Sequence, residues 1–356
     1  MTYRILARDY SPKMGQFNKL LIGGYRVDPA DQHSAKRYFG HSHRNSFLDA
    51  MLVSEEGRFY FVSLVISRDN IGTLTASSWL GGMRAAPAGL APDPRYRPMQ
   101  GTVRHGRRDD GAIEYATEGE SFGYDQTNFY WNSPGQSIAI AGALCGNGGQ
   151  WLLPSRSEDG ESHLMFYHQQ AYRIAGQYLG EKVTGHIVVE LMWGNADYGS
   201  SWWMRNRVGR FGLFAINYVD GSSEFGQILC GSEGDCGAVA VNEKGIEVLN
   251  TDRIETRPGG QNRTIYRLDD EDWQFTVCPS RILRLPAFDT TLELGVTSRV
   301  HEGRSIHAAH AIMIAPGGRR GELPTTSSVA VSAAGSAGGD QRHRSSNQCG
   351  GLLSGI

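Results

Sequence analysis

Apolar and polar positions alternate with a period of two over most of the chain, in short runs. Residues 46–67, SFLDAMLVSEEGRFYFVSLVIS, hold two such runs about Glu55-Glu56-Gly57; this spacing predicts a β-hairpin. Residues 209–231 repeat the scheme around Asp220-Gly221-Ser222, and residues 237–255 do so around Glu243-Lys244-Gly245. Strands and turns recurring at roughly ten-residue spacing predict a sandwich or barrel. Residues 85–98 carry four prolines and read as a loop or linker, because proline is excluded from central strands.

At 356 residues the chain is longer than one ordinary domain. The two hairpin-rich regions flank a Gly-rich segment, residues 145–162, so the expected domains are 1–150 and 151–316. That segment lacks the Gly-Lys-Ser/Thr of a phosphate loop. From residue 317 to 356 the composition turns to Gly, Ser and Ala without periodicity, which predicts a disordered tail.

A formal net charge of −2 leaves no basic footprint for nucleic acid. No apolar run reaches the ~18 residues of a membrane helix, so no membrane span is expected. The first residues lack the apolar core of a signal peptide, which predicts a cytoplasmic protein. Five scattered cysteines without a C-x-x-C pair argue against a disulfide framework. His41 and His43 offer one face of a strand two ligands at most. His307 and His310 are distant in sequence, so no metal site is expected. Nothing in the sequence calls for a cofactor or fixes an oligomeric state.

Residues 166–194 run FYHQQAYRIAGQYLGEKVTGHIVVELMWG. The first strand carries Phe166-Tyr167-His168, the turn Val183-Thr184-Gly185, and the next strand Glu190 and then Trp193-Gly194. Gly209 to Phe214 and Val219-Asp220-Gly221-Ser222 follow. This order resembles the carotenoid 1,2-hydratase and AttH-like superfamily, whose members are built from two lipocalin-like barrels. In the family pattern the acidic position is Asp, its neighbour is His or Arg, and the later strand carries tryptophans. Here those places hold Glu190, Leu191, and Phe211 with Phe214. The resemblance implies an all-β fold of two lipocalin-like antiparallel β-barrels packed together, with this segment lining the second barrel.

It also implies a cofactor-independent hydratase, dehydratase or isomerase acting on an apolar, isoprenoid- or polyketide-like molecule. Glu190 is the expected proton donor, because loss of hydration keeps a carboxyl neutral and able to act as an acid. Tyr167 and His168 straddle the preceding strand, and one of them should reach the same site. Trp193, Asn195, Tyr198, Trp202, Trp203 and Phe214 are the candidate substrate-binding residues, with aromatic faces suited to a carbocation.

Strand geometry leaves other readings open. His186, Val188, Glu190 and Met192 share one face, and Ile187, Val189, Leu191 and Trp193 the other. Glu190 and Trp193 then point apart unless a bulge intervenes. Glu190 could instead face solvent, or pair with Arg205 or Arg207. The alternatives to a hydratase are a non-catalytic carrier of lipophilic ligands and a pericyclase that shapes a polyene without an acid.

Overall fold

The computed structural model describes residues 4–6, 20–23, 37, 42–68, 73–156, 162–194, 208–231, 236–242, 245–249, 255–258, 262–268, 271–285, 290–300 and 303–316. Apart from one 3-10 turn at Pro134–Gln136, every regular element among them is a β-strand. The fold is all-β, as the alternation predicts, and forms two antiparallel sheets.

The first sheet comprises β1 (Arg4–Leu6), β2 (Leu20–Gly23), β3 (His43–Ser54), β4 (Phe59–Arg68), β5 (Leu74–Ala86), β6 (Gly89–Pro92) and β7 (Gly101–Thr102). It continues with β8 (Arg104–Arg107), β9 (Ile113–Thr117), β10 (Glu120–Tyr124), β11 (Asn128–Ser133), β12 (Ile138–Arg156), β13 (Ser162–Tyr178) and β14 (Glu181–Gly194). The second sheet holds β15 (Val208–Tyr218), β16 (Ser223–Gly231), β17 (Cys236–Asn242), β18 (Gly245–Leu249) and β19 (Glu255–Pro258). Its remaining strands are β20 (Arg263–Leu268), β21 (Glu271–Leu285), β22 (Thr290–Arg299) and β23 (Ile306–Pro316).

The predicted hairpins form: β3 pairs β4, β15 pairs β16 and β17 pairs β18. Gly57 and Gly221 take φ of 77° and 87° in the first two turns, a region that glycine enters without steric cost.

The first sheet curls until it meets itself. Strand β7 pairs β5 through Thr75 and Thr102, the Val103 amide donates to the Leu74 carbonyl, and β8 continues onto β9. The strands thereby form a circuit whose interior is filled by Leu48, Tyr60, Val62, Ile113, Trp131, Tyr172, Ile187 and Leu191 among others. The nine-stranded sheet runs from β18 to β19 and buries a cluster of its own around Phe214, Tyr266 and Trp273. A third cluster joins the two sheets, with Met51, Phe61, Val188 and Met192 facing Leu213, Ala215, Leu294 and Ile312.

The structure corrects three expectations. The boundary at residue 150 falls inside β12, and β13 and β14 pair between β12 and β3 in the first sheet. Residues 166–194 therefore belong to the first barrel, not the second, and the change of sheet comes between β14 and β15. Residues 145–156 of the Gly-rich segment read as the domain boundary are part of β12, whose pairing shifts between Cys145 and Gly149; such a bulge is where a strand uses glycine. In the proline-rich loop, residues 89–92 form the edge strand β6, with Pro92 at its end. The tail expected at 317–356 lies outside the described residues.

Candidate functional site

Strands β3, β14 and β13 lie side by side near the middle of the first sheet, and the alternation of β14 decides what each face holds. Ile187, Val189, Leu191 and Trp193 point into the barrel. His186, Val188, Glu190 and Met192 point the other way, toward the second sheet. Their neighbours there are Phe47, Asp49, Met51 and Val53 on β3 and Tyr167, Gln169 and Ala171 on β13. Glu190 sits between Gln169 and Phe47 across the ladder; Asp49, paired with Val188 and Ser63, is diagonal to it.

Glu190 is 4% exposed and Asp49 8%, which settles the question of a solvated Glu190. The Tyr167 hydroxyl donates to Glu190 Oε2 at 2.5 Å, and Gln169 Nε2 donates to the same oxygen at 2.7 Å. Burial raises the pKa of both carboxyls, because a desolvated anion is disfavoured. For Asp49 the charge of Glu190 pushes further in the same direction, whereas the Tyr167 and Gln169 donors hold Glu190 back. Of the two, Asp49 is the one pushed further toward its neutral form.

Three further polar atoms of this patch, Asp49 Oδ1, Ser63 Oγ and Gln169 Oε1, are buried without a hydrogen-bond partner in the structure. Leaving such atoms unpaired costs on the order of 1–3 kcal/mol each. Together they make a surface that a hydroxylic ligand or water would satisfy. Phe47 and Tyr167 add two rings on the same face with centroids 6.5 Å apart.

The predicted site divides. Tyr167 joins Glu190, but His168 lies on the opposite face inside the barrel. There its Nε2 meets Gln170 Oε1 at 3.1 Å, and burial lowers its pKa to about 4. Trp193 also faces the barrel interior, edge-on to His43 at 5.1 Å and 5.5 Å from Phe166. The pairing of β14 with β3 shifts between Met192 and Trp193, with Arg44 as the extra residue on β3, but β13 and β14 pair in unbroken register and Trp193 stays on the face opposite Glu190. Phe214 packs on Trp273 at 4.8 Å within the cluster of the second sheet. Asn195, Tyr198, Trp202 and Trp203 lie outside the described residues, as do Arg205 and Arg207. His43, His307 and His310 do not converge, since His43 is inside the barrel, His307 is exposed and His310 lies between the sheets.

Asp49 is the residue that sequence reasoning missed. The signal was present, for FLDAMLV carries one carboxylate in an apolar strand just as HIVVELMW does. Also missed were His186 and Asn217, which join His310 between the sheets by contacts of 2.8 Å (His186–His310) and 2.7 Å (Asn217–His186). Cys278 is disulfide-bonded, contrary to the expectation of isolated thiols. Among the described residues no helix is long and apolar enough to cross a membrane.

No protein-family model and no curated protein matches the sequence. Solved structures do resemble it in fold. A candidate AttH protein from Nitrosomonas europaea is 12% identical over 83% of this chain and 98% of its own, with a TM-score of 0.47. Kievitone hydratase from Nectria haematococca is 8% identical over 82% and 93%, at 0.41. CghA, solved with Sch210972, is 11% identical over 83% and 94%, at 0.39.

Proposed function

We propose that the protein is an acid–base enzyme of the hydratase, dehydratase or isomerase type, acting on an apolar small molecule between its two sheets. The observation that supports this most is the buried pair of carboxyls, both pushed toward the neutral form by burial, Asp49 further than Glu190, whose anion accepts from Tyr167 and Gln169. Environments that push two neighbouring carboxyls apart assign the acid and the base.

Hydration then runs as follows. The Asp49 carboxyl delivers its proton to one alkene carbon, and the electron pair of the double bond forms the new C–H bond. The cation left on the other carbon lies against the faces of Phe47 and Tyr167. Water attacks it, and Glu190 takes the proton that water releases. Transfer of that proton from Glu190 to Asp49 restores the pair. Dehydration is the same sequence reversed, and isomerisation returns a different proton from the cation.

The test is mass spectrometry of extracts after the wild type, Asp49→Asn and Glu190→Gln have been incubated with apolar metabolites. The expected result is a species 18 mass units heavier or lighter from the wild type. Asp49→Asn should lose about 100-fold or more in rate, the lower end for removing a general acid. If all three proteins return the same unchanged ligand, the carrier reading replaces this one. If all three convert it equally, the acid is not needed and the pericyclase reading holds.

A further inference from the structure

A second polar cluster lies on the same inter-sheet face, and its hydrogen bonds have a direction. The Cys145 thiol donates to Asn217 Oδ1 at 3.8 Å, which turns the Asn217 amide nitrogen toward His186 Nε2 at 2.7 Å. An amide nitrogen only donates, so His186 Nε2 is an acceptor and the His186 proton is on Nδ1. That N–H points at His310 Nδ1, 2.8 Å away. His310 must accept there, and its own proton is therefore on Nε2. Burial keeps both rings neutral, with His186 lowered to about 4 and His310 further still. The relay ends on a donor, and no described residue accepts from it.

Near that neutral donor stands a cation. Arg281 is 8% exposed, and its guanidinium lies 3.9 Å over the ring of Phe59, itself 6.4 Å from the ring of His310. Among the described residues no carboxylate pairs with Arg281, and burial lowers its pKa to about 10. A buried unpaired guanidinium is strongly unfavourable. Two donors near the Phe59 ring, one of them charged, with Met83, Leu90 and Leu285 in the same apolar cluster as that ring, fit one kind of group: a planar oxyanion on an otherwise apolar molecule.

We propose that Arg281 and the Nε2–H of His310 bind the carboxylate of an apolar carboxylic acid between the two sheets. The planar fork of an arginine matches the two oxygens of a carboxylate. The proposal rests on the reading that the ligand lies between the sheets, and it names the class of that ligand. His186 and Glu190 are four residues apart on one face of β14, about 13 Å at ~3.3 Å per residue. The acid would thus be anchored at one end and react at the other.

The test is the melting temperature of the full chain at pH 7.5 with hexanoate, with hexanol, and with inorganic phosphate at matched ionic strength. Hexanoate at about ten times its Kd should raise the wild-type Tm by roughly 2–4 °C, and hexanol should not. Arg281→Met should melt no lower than the wild type, having lost an unpaired buried charge, and should not respond to hexanoate. Arg281→Lys keeps the charge but not the fork, and should bind hexanoate roughly ten-fold more weakly. Asp49→Asn should keep the full hexanoate response while losing turnover, which separates this proposal from the acid–base one. An equal response in wild type and both arginine variants overturns it, as does an equal response to hexanol. A phosphate response matching that of hexanoate overturns the assignment to a carboxylic acid.

Discussion

A carboxyl between β-sheets acquires its chemistry from its neighbours more than from its type. Glu190 and Asp49 are both buried, yet Tyr167 and Gln169 both donate to Glu190, while Asp49 has only Ser63 beside it to favour its anion. In the proposed chemistry the acid is Asp49, where sequence reasoning expected Glu190. Sequence could find the first carboxyl because a motif drew attention to it. It could not rank the two, because the ranking depends on donors from β13 that pair with only one of them. Glu120 offers a cleaner measurement of the same physics. It is buried with Trp131 Nε1 donating to it at 2.8 Å, and its pKa is raised from 4.5 to about 7. Between those two values the unfolded chain ionises and the folded chain does not, so this group makes stability fall as pH rises from about 4.5 to 7. The loss above pH 7 is roughly 3 kcal/mol at about 1.4 kcal/mol per pKa unit. Glu120→Gln should therefore be more stable than wild type at pH 8 and close to it at pH 4. Denaturant titrations at the two pH values check this, and an equal difference at both would contradict it.

Single elements were the most legible part of the chain. Alternation and turn residues located the hairpins β3–β4, β15–β16 and β17–β18, and strand parity separated the Glu190 face from the Trp193 face correctly. What parity does not carry is partnership. The hairpin of β13 and β14 has the same pattern whichever sheet it joins, and its insertion between β12 and β3 is decided by contacts distant in sequence. Gly185 shows how closely those strands meet. A Cβ there would come within 2.0 Å of the Met51 carbonyl oxygen on β3. Gly185→Ala must push apart the two strands that carry Asp49 and Glu190. The expected cost is about 1–3 kcal/mol, as for overpacking elsewhere, with a loss of activity in the protein that remains folded. Chemical denaturation measures the first and turnover per folded molecule the second; a variant unchanged in both would mean that β3 and β14 have room to spare.

At the scale of the molecule, a filled barrel and a nine-stranded sheet meet through a largely apolar layer with two polar inclusions. Only the existence of two β units was readable beforehand; the residues that line their junction come from both ends of the chain. The His186–His310 contact makes this junction sensitive to acid. Both rings are neutral when folded, with Arg281 acting on His310 and Arg173 on His186 to the same effect. The unfolded chain takes up protons near pH 6.5, so the pair's stabilising contribution is complete above that value and falls as pH drops toward 4. Each ring contributes a slope of up to about 1.4 kcal/mol per pH unit. Replacing both with leucine should remove that slope from a stability-versus-pH curve, and an unchanged slope would mean that the rings are protonated in the folded state.

The shared proton between Asp49 and Glu190 is the claim on which the proposed chemistry depends, and infrared difference spectroscopy reads it without knowledge of the substrate. A proton resident on Asp49 predicts a protonated-carboxyl band at pH 7 in the wild type that weakens by one group in Asp49→Asn. Glu190→Gln should keep that band, since Asp49 remains buried. A spectrum unchanged by Asp49→Asn would mean that Asp49 is ionised, and the assignment of acid and base would fail.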